Sequence, residues 1–422
     1  HKGVSFLGTE HLDITEIDGA DSLYEAHGII GKSEENAGKL FGCRTYYSTE
    51  GSSLCIRAMV YLIMLYARGC GKKPIIAAGR NAHKAFLSAA ALLCPEITWL
   101  YPKNGGSYLS CMPDERELEE LLSNAECAPA AVYITSPDYL GNLADISAIA
   151  EICHRHGCLL AVDNAHGAYL KFLEPLAHPI DLGADICCDS AHKTLPVLTG
   201  GAYLHISPSA PEQFSRQAKN ALALFGSTSP SYLILQSLDL SNVYLTGYRQ
   251  RLGEFLPRVE RLKKELAARD FSLCGNEPLK ITVDAKKYGY KGTELARILR
   301  ENNAECEFSD PDYLVLMLTP ENGTDGLERL KNIMTGIPRR APLTDRPPEI
   351  KKGERVLSVR EAVMAPSETV PAEESRGRVL AAATVGCPPA VPILVSGERI
   401  DDHAVSCFKY YGVNTCEVVC NT

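Results

Sequence analysis

Short apolar segments alternate with helical patterns over the first half of the chain, from about residue 51 to residue 205. The apolar segments are KPIIAAG, ITWLYP, AAVYIT, LLAVDNAH, ADICCDS and GAYLHI. Their spacing predicts an α/β fold in which helices cover both faces of a mostly parallel sheet. Ligands of such sheets bind beyond the carboxyl ends of the strands, so the polar residues that follow the strands are the first candidates for a site.

The second half of the chain predicts smaller units. Residues 208–245 are typical of helices and lead into a long amphipathic helix, YRQRLGEFLPRVERLKKELAARD. LKITVDA, LARILRENN and YLVLMLTP then predict a strand, a helix and a strand, and the Pro-rich, charged segment IPRRAPLTDRPPEIKKGE predicts a linker. We therefore divide the chain into an N-terminal arm (1–40), a large domain (41–245), a small α/β domain (246–337), the linker (338–352) and a C-terminal domain (353–422).

Composition and charge narrow the classes of partner. The 422 residues carry a formal net charge of -9, and Lys and Arg are scattered, so we expect no nucleic-acid binding. The sequence has no run of eighteen apolar residues and no export signal, and its 16 cysteines form no CxxC motif. These features predict a reduced, cytoplasmic protein that does not enter a membrane. The chain begins at His1 instead of Met, which is compatible with missing upstream residues.

The thiols and imidazoles of Cys153, His154, His156 and Cys158 resemble a zinc site. The surrounding segment, however, predicts a helix, a turn at Gly157 and an apolar strand, so the four side chains should point in several directions. We therefore predict no metal site.

The strongest chemical signal is the string CDSAHKTLPVLTGG, in which Lys193 follows a predicted strand and is preceded by Ser190 and His192. A lysine in this position is suited to form a Schiff base with an aldehyde cofactor while its neighbours hold a phosphate. Most lysines are solvated surface residues, so the motif alone leaves both interpretations open.

A carboxylate, Asp163, directly follows the apolar strand one strand-helix unit upstream. Pyridoxal 5'-phosphate (PLP) needs a carboxylate against its pyridine nitrogen, because the protonated nitrogen makes the ring an electron sink. A strand-end Asp also commonly caps a helix or turn. The joint occurrence of Asp163 and Lys193 after successive strands favours the PLP interpretation.

Two further segments suit the same cofactor. Gly51, Ser52 and Ser53 lie where an extended segment turns into a helix, and the N–H groups and hydroxyls of a helix N-terminus bind phosphate. An ordinary Ser N-cap after a Gly turn gives the same pattern. His83 follows a predicted strand, where an imidazole can stack on a pyridine ring, although a lone His is more often structural.

Taken in order, these motifs resemble those of the fold type I Orn/Lys/Arg decarboxylases, specifically the shorter bacterial forms. HKG at the start is similar to the end of the family's PGHK motif, and LDITEIDGADSLYEA is similar to its DITE segment. RNAHK, TSPDYLGNLADI, DNAHGAY, SAHKTLPVLT, STSPSY with the nearby SLD, and PPAVPILVSGE follow in the family's order. The ordered series covers nearly the whole chain and is more specific than any one motif.

The resemblance implies a role for each motif residue. Lys193 would carry PLP as a Schiff base, Asp163 would bind the pyridine nitrogen, His83 would stack on the ring, and His166 would contact the ring or the substrate. The phosphate would be surrounded by Gly51, Ser52, Ser53, Ser190 and His192, and by Ser227, Thr228 and Ser229 of a neighbouring subunit. Such a composite site implies an obligate homodimer, or an assembly of such dimers.

The resemblance also implies a reaction, the PLP-dependent decarboxylation of arginine, lysine or ornithine to agmatine or a diamine and carbon dioxide. The distal cation of these substrates needs a carboxylate, because a desolvated, unpaired cation is costly. Asp13, Glu16 and Glu398 lie in family-like segments and are the candidates, although each also suits an exposed charge or a cap.

The chain departs from the family pattern at several positions, which leaves the cofactor residues intact and puts the substrate in doubt. The changes are Asn164 for Glu and Tyr169 for the second His of DEAHGAH, Gly200 for Gln of LTQ, and Cys387, Ala390 and Ser396 in the C-terminal motif.

Two other functions stay open. Amino transfer or carbon-sulfur lysis would use the same cofactor residues, but aminotransferases generally need an arginine clamp, for which Arg44, Arg57 and Arg80 are candidates. A catalytically weak regulatory homologue is the third possibility, and it need not keep the catalytic residues. The product, carbon dioxide and an amine or else a keto acid, distinguishes the two reactions.

Overall fold

The computed structural model describes residues 8–102, 107–124, 128–382 and 391–420. The first residues, HKG, and the changed positions Cys387 and Ala390 lie outside the described residues. The helices of the described part are α1 Ile29–Phe41, α2 Gly51–Gly69, α3 Lys84–Leu93, α4 Glu115–Ser123, α5 Ile146–Arg155, α6 Ala191–Thr194, α7 Glu212–Ala223, α8 Tyr232–Leu245, α9 Tyr248–Ala267, α10 Gly292–Glu301, α11 Gly323–Thr335, α12 Val359–Met364 and α13 Asp402–Tyr410. Its strands are β1 Arg44–Ser48, β2 Ile75–Gly79, β3 Glu96–Leu100, β4 Ala131–Thr135, β5 Leu159–Asp163, β6 Ile186–Asp189, β7 Ala202–Ile206, β8 Leu273–Cys274, β9 Lys280–Asp284, β10 Phe308–Ser309, β11 Tyr313–Met317, β12 Ser367–Pro371 and β13 Thr415–Val419.

The central sheet has seven strands in the order β1-β7-β6-β5-β4-β2-β3. The pairs from β3 to β6 are parallel, and β7 runs antiparallel to both β6 and β1. Alternate residues of β5 enter different cores: Ala161 packs with α2 on one face, whereas Leu160 and Val162 pack with α5 on the other. The predicted α/β fold with a mostly parallel, doubly covered sheet is therefore confirmed.

Strand β1 extends this sheet beyond the strands that the apolar pattern predicts. Its sequence, RTYYS, is only partly apolar, yet Tyr47 is buried and the strand pairs with β7 over its whole length. Because β7 is antiparallel to both neighbours, β1 points the same way as β6. The carboxyl ends of β1, β2, β4, β5 and β6 consequently meet at one edge of the sheet.

Two smaller sheets follow in the chain. Strands β10-β11-β9-β8 form an antiparallel sheet, and β12 pairs with β13. Between them, residues 338–354 form no helix or strand. A shared core joins Leu140 and Phe308 to Leu380 and Phe408, so the last segment of the chain packs against the rest. The domain boundaries given above stay predictions.

Side-chain caps fix several helix starts. The carboxylates of Asp114, Asp145 and Asp401 accept hydrogen bonds from the first-turn N–H groups of α4, α5 and α13, and Ser358 forms a capping box with Glu361 at α12. All cysteines of the described residues are free thiols.

Within the described residues, no helix combines the length and the apolar character that crossing a membrane requires.

Candidate active site

A cavity of about 160 Å³ lies where the carboxyl ends of the parallel strands meet. Residues at or just after the ends of the five strands β1, β2, β4, β5 and β6 line this cavity. The lining residues are Gly51, Ser52 and Ser53 after β1, Asn81 and His83 after β2, Thr135, Pro137 and Tyr139 at the end of β4, Asp163, Ala165 and His166 at the end of β5, and Ser190, His192 and Lys193 after β6.

Lys193 lies on the short helix α6, and its Nζ is 2.8 Å from Nε2 of His166. The same Nζ lies 5.8 Å from the centre of the Tyr139 ring. Burial lowers the pKa of Lys193, while the carboxylates of Glu307 and Asp163 act in the opposite direction. A lysine with a lowered pKa is a better nucleophile toward an aldehyde, because more of it carries a free lone pair.

Asp163 ends β5 and is 2 % exposed. The donors that contact its carboxylate are neutral: Tyr133 donates to Oδ2 at 3.2 Å, and the Ala165 N–H donates to Oδ1 at 3.2 Å. Burial raises the pKa of Asp163, and nearby Lys193 acts in the opposite direction. A buried carboxylate that faces a cavity fits the protonated nitrogen of a pyridine ring, which would supply the missing cationic donor.

The N-terminus of α2 forms a suitable phosphate site. Gly51 has φ +69°, a left-handed conformation that favours glycine, and added bulk at its Cα would meet nothing within 4 Å. Ser190 donates to Ser52 Oγ at 2.8 Å, which brings hydroxyls from two loops together. The dipole of this 19-residue helix favours an anion at this end.

The backbone around residue 200, where this chain has Gly in place of the Gln of LTQ, favours glycine. The φ of Gly200 is +99°, and a Cβ there would lie 2.7 Å from the carbonyl oxygen of Thr49. Gly200 O also accepts the Gly51 N–H at 2.7 Å. The glycine therefore lets the 195–201 loop approach the start of α2 closely.

His83 caps α3, and its Nδ1 accepts the Ala85 N–H at 3.1 Å. Burial lowers the pKa of His83 to about 4, with the charges of Lys193 and Lys84 adding to the effect. The ring is therefore neutral near pH 7, and a neutral imidazole at the cavity wall suits stacking on an aromatic cofactor.

Several predicted site residues lie outside this cavity within one chain. Ser227, Thr228 and Ser229 are exposed, and the Ser227 N–H donates to Glu50 Oε1 at 2.6 Å beside the start of α2. Asp13 is half-buried and Glu16 is exposed, both on the N-terminal arm. Their predicted roles therefore stay predictions, and those of Ser227, Thr228 and Ser229 require a second copy of the chain.

Glu398 lies in a different cavity, of about 380 Å³, between α3 and the C-terminal segment. Its Oε2 accepts the Val395 N–H at 2.8 Å, and the residue is 5 % exposed. This position gives Glu398 a structural contact, and its predicted substrate role stays a prediction.

Three charged residues that the sequence motifs did not indicate lie beyond His166 and come from distant parts of the chain: Glu307, Lys280 and Glu277. Glu307, just before β10, places Oε1 3.8 Å from His166 Nε2, and its side chain is 26 % exposed. Lys280, the first residue of β9, places Nζ 3.0 Å from His166 Nδ1 and 2.7 Å from Glu277 Oε2. The one available signal was a charged residue directly before or at the start of an apolar strand.

A buried cluster lies beneath the cavity. Oδ2 of Asp189 accepts from His178 and His205 at 3.1 Å each, and Oδ1 accepts from Asn164 at 2.7 Å. Although burial acts to raise it, the two imidazoles lower the pKa of Asp189. His178, Asp189 and His205 are the one set among the described residues with the spacing of metal ligands. Their side chains already hydrogen-bond to one another, so these polar groups have partners without a metal ion. Asn164, a departure from the family pattern, thus supports the end of β6.

The rejected zinc ligands have separate acidic partners. His154 Nε2 lies 3.0 Å from Asp185 Oδ2, and His156 Nε2 lies 2.7 Å from Glu119 Oε1. The two imidazoles therefore serve different contacts, as expected from a helix followed by a turn.

The fold and the cavity define a PLP enzyme of fold type I. The family model for the major domain of the Orn/Lys/Arg decarboxylases matches residues 4–280, and the model for their C-terminal domain matches residues 353–416. The chain therefore belongs to the Orn/Lys/Arg decarboxylase family, whose members are PLP-dependent amino-acid decarboxylases.

The chain is also similar to individual proteins over most of its length. The chain is 30% identical to the uncharacterized protein YaaO of Bacillus subtilis (strain 168), over 93% of this chain and 84% of that protein. It is 29% identical to an arginine decarboxylase of Halalkalibacterium halodurans, over 94% and 84%. Its fold is similar to that of the E. coli constitutive lysine decarboxylase, with a TM-score of 0.74, 17% identity and coverage of 98% and 76%.

Proposed function

We propose that this enzyme decarboxylates a basic amino acid, with arginine the first candidate, and that Lys193 holds the cofactor. The observation that carries the proposal is that Lys193, Asp163 and His83 line a single cavity at the carboxyl ends of the strands. Relatives named arginine decarboxylase, at 27–29% identity over 94–95% of the chain, support arginine over lysine and ornithine.

The bound PLP supplies an electron sink for the electrons left on Cα when carbon dioxide departs. Asp163 keeps a proton on the pyridine nitrogen, and the buried wall around it excludes water that would weaken this contact. Lys193 would hold the cofactor and, once the amino group of the substrate has displaced it, would remain beside the site as a free amine that can take the cofactor back when the protonated product leaves. His83 would stack on the ring, and the hydroxyls of Ser52 and Ser190, which lie 2.8 Å apart, would bind the phosphate.

Glu307 is our candidate for the group that binds the substrate's cation. Its Oε1 lies 3.8 Å from His166 Nε2, its side chain is 26% exposed, and its charge acts on the pKa of Lys193, although Glu307 is not among the residues that line the described cavity. A carboxylate in this position attracts an ammonium or guanidinium and disfavours a substrate with an acidic side chain. Glu307 therefore fits a basic amino acid.

Exposed apolar side chains on α8 and in the loops near it support the proposed homodimer. Leu240 and Val243 on α8 are 68% and 72% exposed, and Leu224 in the preceding loop is 58% exposed. Leu198, in the loop that follows Lys193, is 51% exposed. We propose that a second copy covers these side chains and brings Ser227, Thr228 and Ser229 to its partner's cofactor, because burying large apolar side chains favours association.

Amino transfer is the second candidate, and the arginine positions argue against it. Both terminal nitrogens of Arg80 donate to carbonyl oxygens, those of Pro392 and Ile393, at 2.7 and 2.8 Å. Arg44 and Arg57 are not among the residues that line the cavity in the described part of the chain. The described cavity wall therefore offers no arginine clamp.

The test of the function is carbon dioxide release from arginine, lysine and ornithine by PLP-loaded protein, with Lys193→Ala as the control. We expect release from one substrate, arginine first, and none from the variant. A keto acid product, or release that survives in Lys193→Ala, would refute the proposal.

The test of Glu307 is the KM of Glu307→Gln. We expect a rise of about tenfold or more for the preferred basic substrate, the scale of a charge-assisted hydrogen bond, at little change in kcat. Glu305→Gln is the matched control, because Glu305 lies two positions away and pairs with Arg300 at the surface. Equal effects in the two variants would remove Glu307 from the substrate site.

A further inference from the structure

A row of buried polar groups leads from Tyr169 to Lys193. Tyr169 donates to Glu277 Oε1 at 3.2 Å, and Glu277 Oε2 lies 2.7 Å from Lys280 Nζ. Lys280 Nζ lies 3.0 Å from His166 Nδ1, and His166 Nε2 lies 2.8 Å from Lys193 Nζ. The row joins the antiparallel sheet that contains β9 to the end of β5.

Lys280 acts in this row as a donor. The side chains of Glu277 and Lys280 are 0% and 1% exposed, so a carboxylate here needs a cation beside it. Burial raises the pKa of Glu277, and Lys280 acts in the opposite direction. Lys280 also donates to the carbonyl oxygen of Asp138 at 3.1 Å. An ammonium only donates hydrogen bonds, so its contact with His166 Nδ1 requires that Nδ1 accept.

This contact determines where His166 carries its proton. Burial lowers the pKa of His166 well below its ordinary value, and Lys193 and Lys280 add to the effect, so the ring is neutral. A neutral imidazole has one N–H, and with Nδ1 accepting, that proton is on Nε2. Nε2 faces Lys193 at 2.8 Å, so the amine of Lys193 accepts this hydrogen bond through its lone pair.

We propose that Lys280, paired with Glu277, is a positioning residue that fixes the Nε2–H form of His166 and thereby holds Lys193 as a neutral, oriented nucleophile. The amine would form a C=N bond with the cofactor aldehyde, whose oxygen would leave as water with the two amine protons. This inference rests on the proposed role of Lys193. It also gives a function to Tyr169, a departure from the family pattern, which orients Glu277.

Other titratable groups face the same atoms and must stay constant in any test. Around Lys193 and His166 they are Asp163 from β5, Cys188 from β6, His192 on α6, His83 at α3 and Glu307 before β10. Glu307 Oε1 lies 3.8 Å from His166 Nε2, where a carboxylate also favours an N–H at that nitrogen. The decisive variants therefore change Lys280 and Glu277 and leave Glu307 intact.

The first test observes the tautomer in the cofactor-free protein. Nitrogen-15 NMR of labelled histidines, with His166→Gln to assign the signals, should show a protonated Nε2 and a bare Nδ1. In Glu277→Gln/Lys280→Met, which removes the buried pair together, the signals should shift toward a protonated Nδ1. A protonated Nδ1 in the unsubstituted protein, or an unchanged tautomer in the double variant, would overturn the proposal.

The second test measures the rate at which PLP associates with the cofactor-free protein, followed by visible absorbance across pH. In the double variant the apparent pKa of this rate should rise by about one unit or more, which slows association about tenfold near pH 7. Glu34→Gln/Lys219→Met removes another buried ion pair, with Lys219 Nζ 2.5 Å from Glu34 Oε1, and should leave the profile unchanged.

The outcomes separate this inference from the proposed function. An equal slowing in both double variants, or a lower rate with an unchanged pH profile, would show a merely structural role for Lys280. If Lys193→Ala took up PLP with the same absorbance and rate, Lys193 would not hold the cofactor, and the proposed function itself would fail.

Discussion

Lys193 and Lys286 are both partly or largely buried, and they differ in the groups that contact their Nζ atoms. Lys193 is half-buried at the cavity and contacts His166, and it forms no ion pair within the described residues. Lys286, in the turn after β9, has a side chain that is 7% exposed, and its Nζ lies 2.8 Å from Asp312 and 2.7 Å from Asp345. It also donates to the hydroxyl of Tyr410.

The pKa values of the two lysines move in opposite directions. Burial acts to lower both, and for Lys193 it prevails, because Glu307 and Asp163 act from a distance. For Lys286 the hydrogen bonds of Asp312, Asp345 and Tyr410 prevail and raise the pKa. Direct hydrogen bonds to carboxylates therefore separate Lys286, an ionic clamp, from Lys193, which keeps a lowered pKa and is suited to act as a nucleophile.

The largest effect on the Lys193 side should come from Asp163→Asn. Loss of this carboxylate removes the partner of the pyridine nitrogen, and we expect kcat to fall about 10²–10³-fold, the scale of one preorganised electrostatic contact. The cofactor-free protein should stay folded, because the donors to Asp163 are neutral and an amide oxygen can accept from them. Carbon dioxide release and urea denaturation measure the two quantities. Full activity in a folded variant would exclude the assigned role.

On the Lys286 side we expect an effect on stability instead. Lys286→Met leaves Asp312 buried without its cation and should lower the free energy of unfolding by about 3 kcal/mol. Lys287→Met is the matched control: its side chain is 67% exposed in an ion pair with Asp284, so a change below about 1 kcal/mol is expected. Urea denaturation checks both variants. Similar losses in the two would mean that the Lys286 contacts do not clamp the structure.

The stabilisation by Lys286 should depend on pH in one direction. Its pKa is raised in the folded protein, so the folded state holds this proton more tightly than the unfolded state does. The stability difference between the unsubstituted protein and Lys286→Met should be complete below the ordinary lysine pKa of about 10.4 and decline above it. A difference that grows with alkaline pH would contradict the sign.

The smallest effect, of opposite sign, should come from Lys193→Met. The pKa of Lys193 is lowered in the folded protein, so the unfolded state binds more protons at this residue. Near pH 7 the lysine therefore lowers the free energy of unfolding, and Met should raise that of the cofactor-free protein by about 1 kcal/mol. This gain should shrink as pH rises toward about 10.4, where the unfolded lysine also loses its proton. Thermal unfolding at several pH values measures it. A loss of stability in Lys193→Met would break the contrast between the two lysines.

The sequence predicts the central sheet and most of the cavity for a local reason. Asp163 ends an apolar strand, Ser190 directly follows one and His83 lies shortly after one, and parallel strands bring such positions to one edge. Strand β1 was not among the predicted strands because its tyrosines give no continuous apolar run, although the turn at Gly51 that ends it was visible.

The remaining parts of the site depend on tertiary contacts that local patterns do not encode. Lys280 reaches His166 across more than a hundred positions of sequence, and Glu277 pairs with Lys280. A lysine at the start of a strand looks like an ordinary exposed end, and its burial becomes evident only when β9 packs beside the end of β5. The predicted substrate carboxylates Asp13, Glu16 and Glu398 came from motif position alone, which does not specify distance to the cavity.

The most direct test of this account is to locate the cofactor on the chain. Borohydride reduction of the PLP-loaded protein fixes the cofactor to the lysine that holds it, and mass spectrometry of the peptides identifies that lysine. The account predicts a pyridoxyl group on Lys193, in the peptide that contains Ser190 and His192. A pyridoxyl group on Lys280, Lys84 or any other lysine, with Lys193 unmodified, would contradict it.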